Sequence, residues 1–408
     1  MNFFKVKKMA EVFDEIRRFS PLGASTISIL EAVGRFLAED LKAPENLPPF
    51  ARATMDGYAV RARETFGARE NEPVVLRVVG EILMGEAPAF SLGPGEAARI
   101  ATGGMLPEGA DAVVMVEYTE ENDSLVEIKR PVAPHENVIE AGEDYRKGEL
   151  LFRAGRKITP GVAGVLAGFG ITQVPVRARP KVGIISTGDE IVPPEETPAP
   201  GKIRDINSYS LFTAAKEASS TPKLYGIVPD LEETLYETLE KALSENDVVL
   251  ISGGSSVGTR DFTLKAISRL PGAEIICHGI AVKPGKPTIL ARVGDKAVFG
   301  LPGQVASALL IFYLLVRPLL LHLQGARGED LFLKKILARA ARNIPSTPGR
   351  EDFLRVKIED SKEGPLAHPI FKKSGLISSM AEADGFLRIP ENVEGVYAGE
   401  WVEVYLLP

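Results

Sequence analysis

Hydrophobic positions in the middle of the chain follow two patterns. Short apolar runs predict buried strands, and longer stretches with helical spacing predict helices. The predicted strands are 181–186, 223–228, 247–251, 274–277, 288–291 and 297–299. The predicted helices are roughly 207–219, 231–245, 261–270 and 303–324. Apolar strands that alternate with amphipathic helices are typical of a doubly wound, mostly parallel α/β sheet.

The segments on either side of this region have a different character. Residues 73–140 alternate short β-type runs with Gly, Pro and Asn turns, which predicts a small all-β domain. Residues 330–408 show the same alternation, which predicts a small barrel or sandwich. Near the N-terminus, residues 5–19 carry apolar side chains at helical spacing, and the pattern from Ile29 to Leu37 predicts a second short helix.

A glycine-rich loop follows the third predicted strand of the α/β region. Ser252 to Gly258 contains three Gly and three Ser, so backbone N–H groups there can approach an anion closely. Asp261 then opens a predicted helix, and a strand, a Gly-rich turn and a helix N-terminus together form a common anion-binding layout. The loop lacks the Gly-Lys-Ser/Thr of a Walker A motif and the dinucleotide fingerprint. Taken alone, it is equally compatible with a phosphate loop and with a tight turn capped by Asp261.

Charged residues follow other strand ends at the same predicted edge of the sheet. Asp189 and Glu190 come after the first strand, and Asp230 comes after the second. Lys283 and Lys286 flank a Pro-Gly turn after the fourth strand. Ligands of such sheets bind outside the carboxyl ends of the strands. Acids beside phosphate-binding groups suit a site for a nucleotide with Mg²⁺, which prefers oxygen ligands.

Each of these residues also has a plain structural interpretation. Asp230 with Glu233 has the layout of a capping box, and Asp189-Glu190 is compatible with a solvated turn. A solvated loop would equally explain Lys283 and Lys286. Their convergence on one edge of the sheet favours the binding site over a set of independent surface features.

Composition excludes several classes of protein. A net charge of -7 argues against a general nucleic-acid binder. The single Cys excludes an internal disulfide framework, and one Cys with four scattered His excludes a Cys/His zinc site. Any bound metal is therefore expected to be a hard cation held by carboxylate oxygens. Val305 to Leu323 is very apolar, but Arg317, Pro318 and His322 interrupt it, which predicts a buried core helix and no membrane span.

Several short motifs occur in an order that resembles the molybdopterin molybdenumtransferase family (MoeA, and the E domain of gephyrin). The resemblance covers essentially the whole chain, and the ordered set is far more specific than any single motif. The motifs are Leu30 to Asp40, Met55-Asp-Gly-Tyr-Ala59, Gly142-Glu-Asp144, Ser186-Thr-Gly-Asp-Glu190, Ser252 to Gly258 with Asp261, Lys283-Pro-Gly-Lys-Pro287, Gly300-Leu-Pro-Gly303 and Arg350 to Arg355.

The resemblance implies an elongated cytoplasmic homodimer of four-domain subunits. It implies insertion of molybdate or tungstate into adenylylated molybdopterin with Mg²⁺ and release of AMP, with a molybdopterin adenylyltransferase as the pathway partner and with neither nucleic acid nor membrane as a partner. The expected domains are an α/β domain (1–22 plus 178–325), a connector (23–43 plus 145–177), a small β domain (44–144) and a C-terminal β-barrel (326–408).

The resemblance also assigns roles to residues. The catalytic set is Asp56, Asp144, Asp189, Glu190, Asp230, Asp261, Lys283 and Lys286, with Glu190, Asp230 and Asp261 as metal ligands. The substrate-binding set is Thr102, Gly188, Ser252, Gly253, Gly254, Ser256, Gly258, Pro302, Arg350, Ser378 and Ser379. The expected site is a cleft between the α/β domain of one subunit and the β domains of its partner.

The chain departs from the family pattern at a few positions. Ala51 and Thr54 replace an acid and a Ser before the Met-Asp-Gly-Tyr motif, and Ser255 replaces a common Val. The main acids are retained, so these changes affect the fine shape of the site. Two alternatives remain, a non-catalytic pterin-binding scaffold and a molybdopterin adenylyltransferase. The retained acids argue against a scaffold, which would not need them. The additional β domains argue against an adenylyltransferase, which would need only the α/β domain.

Overall fold

The structure, a computed structural model, describes residues 6–253 and 259–408, with the side chains of the second range described from Phe262 onward. The chain divides into two compact units. The first comprises Met1–Glu39, Ala154–Thr159 and Gln173–Pro408, and the second comprises Asp40–Arg153 and Pro160–Thr172.

The N-terminal segment begins with helix α1 (Met9–Ile16), which buries Met9, Val12 and Ile16, as its apolar spacing predicts. Strand β1 (Ala24–Ser28) follows and pairs antiparallel with Gln173–Arg177. The prediction of a second short helix from Ile29 to Leu37 is wrong. Turns occupy residues 29–31 and 33–34, and Gly34 has a φ of 84°, a left-handed conformation that does not continue a helix. The apolar spacing was misleading because Leu30 remains 89% exposed.

The second unit is built around a six-stranded sheet, whose strands lie in the order Ala112–Met115, Gly57–Val60, Glu96–Ile100, Val74–Ile82, Leu125–Ile128 and Thr119–Asn122. Alternate residues of these strands pack into two small apolar cores, one of them on each face. The elements are β2 (Leu41–Lys42), β3 (Arg52–Ala53), β4 (Gly57–Val60), β5 (Val74–Ile82), β6 (Glu96–Ile100), β7 (Ala112–Met115), β8 (Thr119–Asn122), β9 (Leu125–Ile128), β10 (Val138–Ile139), β11 (Leu150–Phe152) and α2 (Pro160–Gly168), with 3₁₀ turns at Ala62–Thr65 and Val116–Tyr118.

The α/β part of the first unit follows the predicted alternation closely. Its elements are β12 (Gln173–Arg177), β13 (Lys181–Thr187), β14 (Ile191–Val192), β15 (Ile203–Arg204), α3 (Asn207–Glu217), β16 (Thr221–Val228), α4 (Glu232–Glu245), β17 (Val248–Gly253), α5 (Thr259–Arg269), β18 (Ala273–His278), β19 (Val282–Lys283), β20 (Ile289–Val293), β21 (Lys296–Leu301), α6 (Val305–Ile311) and α7 (Arg317–Leu323).

Six of these strands form one sheet in the order β16-β13-β17-β21-β20-β18. The first four run parallel, and β20 runs antiparallel to both of its neighbours, β21 and β18. Helices α3 and α6 contribute to the apolar core on one face, and α4 and α5 contribute to the core on the other. The predicted doubly wound, mostly parallel sheet is therefore confirmed.

The apolar segment Val305–Leu323 is a core helix, as predicted. It passes from α6 through a π-helical turn (Phe312–Val316) into α7. By length and composition this helix is capable of crossing a membrane, but 83% of it is buried inside the protein. Its side chains fill the core on the α3 side of the sheet, which accounts for the hydrophobic character.

The C-terminal part is a closed barrel of five strands, joined in the order Glu351–Glu359, Leu366–Pro369, Lys335–Ala340, Trp401–Leu406 and Gly385–Ile389, and the last of these pairs with the first. Its elements, after a 3₁₀ turn at Gly328–Leu331, are β22 (Lys335–Ala340), β23 (Ile344–Pro345), β24 (Glu351–Glu359), β25 (Leu366–Pro369), α8 (Ser378–Ala381), β26 (Gly385–Ile389), β27 (Gly395–Val396) and β28 (Trp401–Leu406). Closure leaves no unpaired edge within the ring. The short strand β19 of the α/β part pairs with β24, so it joins the barrel and not the larger sheet.

Candidate functional site

Three predicted acids lie together at the carboxyl ends of two neighbouring strands. Thr187 at the end of β13 pairs with Val228 at the end of β16, so the residues that follow each strand lie side by side. The Asp189 carboxylate accepts a hydrogen bond from the backbone N–H of Asp230 at 3.2 Å. Partial burial, followed by the negative charges of Asp189 and Glu190, raises the pKa of Asp230. We call Asp189, Glu190 and Asp230 the acid edge.

The structure shows that Asp230 does not cap helix α4. Helix α4 has Leu231 as its N-cap, and no side chain caps its first turn. Asp230 therefore lies just outside the helix as a partly buried carboxyl and does not form the capping box that the sequence allowed.

A cleft of about 730 Å³ opens beside the acid edge. Only Glu190 and Gly253 among its lining residues belong to the predicted site. The other lining residues are Ile191, Pro198, Lys202, Ile203, Arg204, Asp205, Ile206, Asn207, Gly303, Gln304, Val305 and Gly375. Most of the residues that line the cleft were therefore not predicted from the sequence. They belong mainly to the segment from Lys202 to Asn207 and to the start of α6.

Asn207 is the most constrained of these additional residues. It lies at the start of α3 and is 8% exposed. Its Nδ2 donates to Ser252 Oγ at 2.7 Å and to the carbonyl oxygen of Gly303 at 2.9 Å. Asp205, also buried, accepts a hydrogen bond from the backbone N–H of Ser208 at 3.0 Å and so supports the same helix start. The available sequence signal was an Asp and an Asn at the beginning of a predicted helix that leads away from the sheet edge.

The beginning of the glycine-rich loop is shaped by close packing of the backbone. Gly253 has a φ of 152°, and a Cβ atom on it would lie 1.9 Å from the carbonyl oxygen of Thr187. Any other residue would displace one of these two strand ends. The predicted binding residues Gly254, Ser256 and Gly258 lie outside the described residues. Asp261 lies within α5, and its side chain is outside the described set.

No cluster of three or more His, Cys, Asp or Glu side chains arranged to hold a metal ion occurs among the residues that the structure describes. The assignment of Glu190, Asp230 and Asp261 as metal ligands stays a prediction, because one of the three side chains is outside that set.

The two predicted lysines have different surroundings. Lys283 Nζ donates to Asp352 Oδ2 at 2.9 Å, and Asp352 also accepts from Ser346 Oγ at 3.2 Å. This pair links the end of β19 to the barrel strand β24. The backbone carbonyl of Lys286 accepts hydrogen bonds from Ile280 and Thr288 at 2.9 Å each. Anion binding by either lysine stays a prediction.

The remaining predicted residues of the first unit lie in four places. Gly188 donates its N–H to the carbonyl oxygen of Val228 at 3.4 Å, next to the acid edge. Pro302 lines a small cavity with Gly253, and Arg350 is partly buried just before β24. Ser378 and Ser379 open α8, where Ser378 Oγ accepts from Lys372 Nζ at 3.3 Å and Ser379 Oγ donates to the Leu376 carbonyl at 2.7 Å.

The second unit carries a separate acid–hydroxyl pair. Asp56 Oδ1 accepts two hydrogen bonds from Thr102, from the backbone N–H at 2.6 Å and from Oγ1 at 2.8 Å. These bonds lower the pKa of Asp56, the backbone bond contributing most. Gly57 next to it has no space for a side chain, since a Cβ would lie 1.9 Å from the Val114 carbonyl oxygen. Asp144 is exposed in a turn, with its N–H donating to the Leu47 carbonyl at 3.1 Å.

Comparison with known protein families covers nearly the whole chain. Residues 7–170 match the MoeA N-terminal region (domain I and II), residues 183–322 match a probable molybdopterin binding domain, and residues 337–407 match the MoeA C-terminal region (domain IV). A putative molybdopterin biosynthesis protein of Methanocaldococcus jannaschii is 39% identical over 98% of this chain and 95% of its own length. The chain belongs to the MoeA family.

Other members of the MoeA family agree in sequence and in fold. A protein of Bacillus subtilis named molybdopterin molybdenumtransferase is 35% identical over 93% of this chain and 89% of its own length. Two crystal structures of MoeA proteins from Pyrococcus horikoshii superpose with TM-scores of 0.83 and 0.85, at 43% and 35% identity. They cover 98% and 99% of this chain, and 99% and 100% of their own chains. The multidomain architecture described above is therefore that of the family.

Proposed function

We propose that this protein is a transferase of molybdenum cofactor biosynthesis that inserts molybdate or tungstate into adenylylated molybdopterin, with Mg²⁺-dependent release of AMP. The observation that carries the proposal is the acid edge beside a large cleft at the carboxyl ends of parallel strands. Family membership supports it, because full-length relatives are named molybdopterin molybdenumtransferase. A scaffold without catalytic activity would not need a carboxyl group such as Asp230, whose pKa is raised by partial burial and then by the neighbouring acids Asp189 and Glu190.

A pair of carboxylates from the acid edge, completed by ligands from outside the protein, is the proposed site of a hard cation. Carboxylates that repel one another are stabilised together when a divalent ion neutralises them. Asp230 with Asp189 or Glu190 would hold Mg²⁺ through oxygen atoms, and water or substrate phosphate would supply the other ligands, as Mg²⁺ usually requires. When bound, the ion would shield the charge on the phosphate oxygens.

The chain's own groups would act by positioning and electrostatics. Displacement at the adenylate phosphorus requires that the phosphate be held in line and that its charge be neutralised. Lys283 and Lys286 are the proposed cationic groups, and the glycine-rich loop from Ser252 to Gly258 is the proposed phosphate cradle. Cys277 is fully buried in β18, so we do not assign it as a covalent nucleophile.

Asp56 is the proposed acid of the second unit. Because Thr102 occupies Oδ1 with two hydrogen bonds, the carboxylate is held ionised and its orientation is fixed. Thr102 and Asp144 are proposed to act with it, and the proposed substrate-binding groups are Gly188, Pro302, Arg350, Ser378 and Ser379.

We further propose that the protein works as a cytoplasmic homodimer of four-domain subunits and receives its substrate from a molybdopterin adenylyltransferase.

A direct assay tests this function. Purified protein is incubated with adenylylated molybdopterin, Mg²⁺ and either molybdate or tungstate, and AMP and the metal-containing pterin are quantified. Release of AMP that requires both Mg²⁺ and the oxyanion is the expected result. Binding of the pterin without turnover would contradict the proposal in favour of a scaffold, and formation of adenylylated molybdopterin from ATP would indicate an adenylyltransferase.

A further inference from the structure

Asn207 combines three properties that a structural amide rarely has together. Its side chain is more than nine-tenths buried, it lines the cleft beside the acid edge, and all of its side-chain hydrogen bonds to described residues are made by the amide nitrogen. Among the described residues, no donor reaches its Oδ1. Buried side-chain carbonyl oxygens almost always have a partner, so this exception calls for an explanation.

The orientation of the amide is fixed by its partners. The carbonyl oxygen of Gly303 is only an acceptor, so the atom of Asn207 that lies 2.9 Å from it must be the nitrogen. The same nitrogen lies 2.7 Å from Ser252 Oγ, so both of its protons are used. A flipped amide would place two acceptors against each other, and Oδ1 is therefore held on the side where none of the described residues supplies a donor.

The bonds of the amide nitrogen also restrain its neighbours. They link the start of α3 to the end of β17 and to the turn before α6, each of which contributes residues to the cleft. An acceptor oxygen on so restrained a group is preorganised, because it loses little freedom when a ligand binds.

We propose that Asn207 is a specificity-determining residue whose Oδ1 accepts a hydrogen bond from a ring N–H or amino group of a fused nitrogen heterocycle bound in the cleft. This inference rests on the proposed function, since adenylylated molybdopterin carries two such heterocycles. The donor belongs either to the pterin or to the adenine, and both have the same chemistry. A site that offers a buried acceptor rejects a ligand that lacks the donor, because the acceptor would then stay unpaired.

The test measures dissociation constants of wild type and the Asn207→Ala variant for three ligands. Adenylylated molybdopterin carries both heterocycles, AMP carries only adenine, and purine riboside 5′-monophosphate lacks the amino group of AMP. We expect Asn207→Ala to weaken binding of adenylylated molybdopterin by roughly five- to tenfold. If the pterin supplies the donor, the two nucleotides are unaffected. If adenine supplies it, AMP is weakened equally and purine riboside monophosphate is not.

Two further variants guard against a purely structural effect. Asn207→Ser retains a small polar side chain, and it is used if Asn207→Ala does not fold. Ser186→Ala is the matched control, because the Ser186 hydroxyl is also buried without a partner among the described residues, on the neighbouring strand, yet it does not line the cleft. Its three dissociation constants are expected to match those of wild type.

The outcomes separate this inference from the proposed function. An equal loss for all three ligands would mean that Asn207 only holds the neighbouring segments together, and no loss for any ligand would remove its recognition role; either result overturns the inference. Both leave the proposed function intact as long as wild type binds and converts adenylylated molybdopterin. Failure of wild type to bind that compound overturns the proposed function and this inference together.

Discussion

Thr102 donates two hydrogen bonds to a single oxygen of Asp56, one from its backbone N–H at 2.6 Å and one from its hydroxyl at 2.8 Å. The two residues are brought together by β4 and β6, whose antiparallel pairing places Gly57 opposite Ile100. The arrangement keeps Asp56 ionised and leaves its second oxygen for other contacts, which gives the Met-Asp-Gly-Tyr motif a specific physical role.

The first prediction concerns the charge of Asp56. Replacing the hydroxyl by a methyl group in Thr102→Val removes one of the two bonds, so the pKa of Asp56 is expected to rise toward its ordinary value. Thr102→Ser retains both donors and should leave that pKa unchanged. Carboxyl ¹³C NMR titration measures it, and identical titration curves for wild type and Thr102→Val would show that the hydroxyl bond has no effect in solution.

The depressed pKa of Asp56 has a defined sign for folding. A carboxyl group with a lower pKa in the folded state stabilises the fold at pH values above its unfolded pKa, and this contribution is lost as pH falls through its folded pKa. The stability of Asp56→Asn should therefore vary less with pH than that of wild type in this acidic range. Urea unfolding of both proteins between acidic and neutral pH measures the difference.

The second prediction concerns turnover. Asp56→Asn keeps the size of the side chain and removes its charge, so AMP release is expected to fall roughly a hundredfold while the fold is retained. Circular dichroism and thermal unfolding verify the fold. Turnover equal to wild type would remove Asp56 from the catalytic set.

The third prediction concerns the raised pKa of Asp230. Because burial and neighbouring acids raise the pKa of Asp230, its ionisation disfavours the folded state, and stability is lost as pH rises through its folded pKa. Asp230→Asn should thus gain a few tenths of a kcal/mol at neutral pH, a small value because the group is partly exposed. It should lose AMP release at the same time.

Chemical unfolding at neutral pH measures this gain, with Asp360→Asn as a control in an exposed acid of the barrel. A stability of Asp230→Asn below that of wild type would contradict the electrostatic account and would point to a structural role for the carboxylate.

The fourth prediction concerns the cation. Mg²⁺ bound at the acid edge should raise the midpoint of thermal unfolding of wild type by about 1–3 °C at saturating concentration. The shift should be absent in Asp230→Asn and should diminish as pH falls and Asp230 takes up a proton. A Mg²⁺ shift of the same size in wild type and Asp230→Asn would place the ion elsewhere.

The fifth prediction concerns the link between the α/β part and the barrel. Asp352 is 4% exposed and has Lys283 as its charged partner, so Lys283→Met leaves a buried carboxylate without that partner. We expect a loss of about 1 kcal/mol, moderated because Lys283 itself is half exposed. The double variant Lys283→Met with Asp352→Asn should recover part of it, and urea unfolding of the complete cycle measures the coupling. Strictly additive effects would show that the pair does not stabilise the fold.

Local pattern was sufficient for the elements of the α/β part. Strands β13, β16 and β17 begin and end within about two residues of the predicted bounds, because apolar periodicity and turn residues act between neighbours in the chain. The same reasoning failed for Ile29 to Leu37, where an apparent helical spacing included an exposed Leu30 and a glycine in a left-handed turn. At the end of that segment, Phe36 and Leu37 form isolated bridges with Lys157 and Val176, which are distant in the chain.

The sequence by itself thus determined the alternation of strands and helices and the placement of acids after particular strands. Only the tertiary structure decided that Asn207 bonds to residues 45 and 96 positions away, and that Lys283 pairs with Asp352, 69 positions away. The physical reason is that periodicity records which face of an element is buried, whereas hydrogen-bond partners depend on the order of strands in the sheet and the closure of the barrel. Those long-range pairings are chosen by the packing of the whole molecule, and no short stretch of residues encodes them.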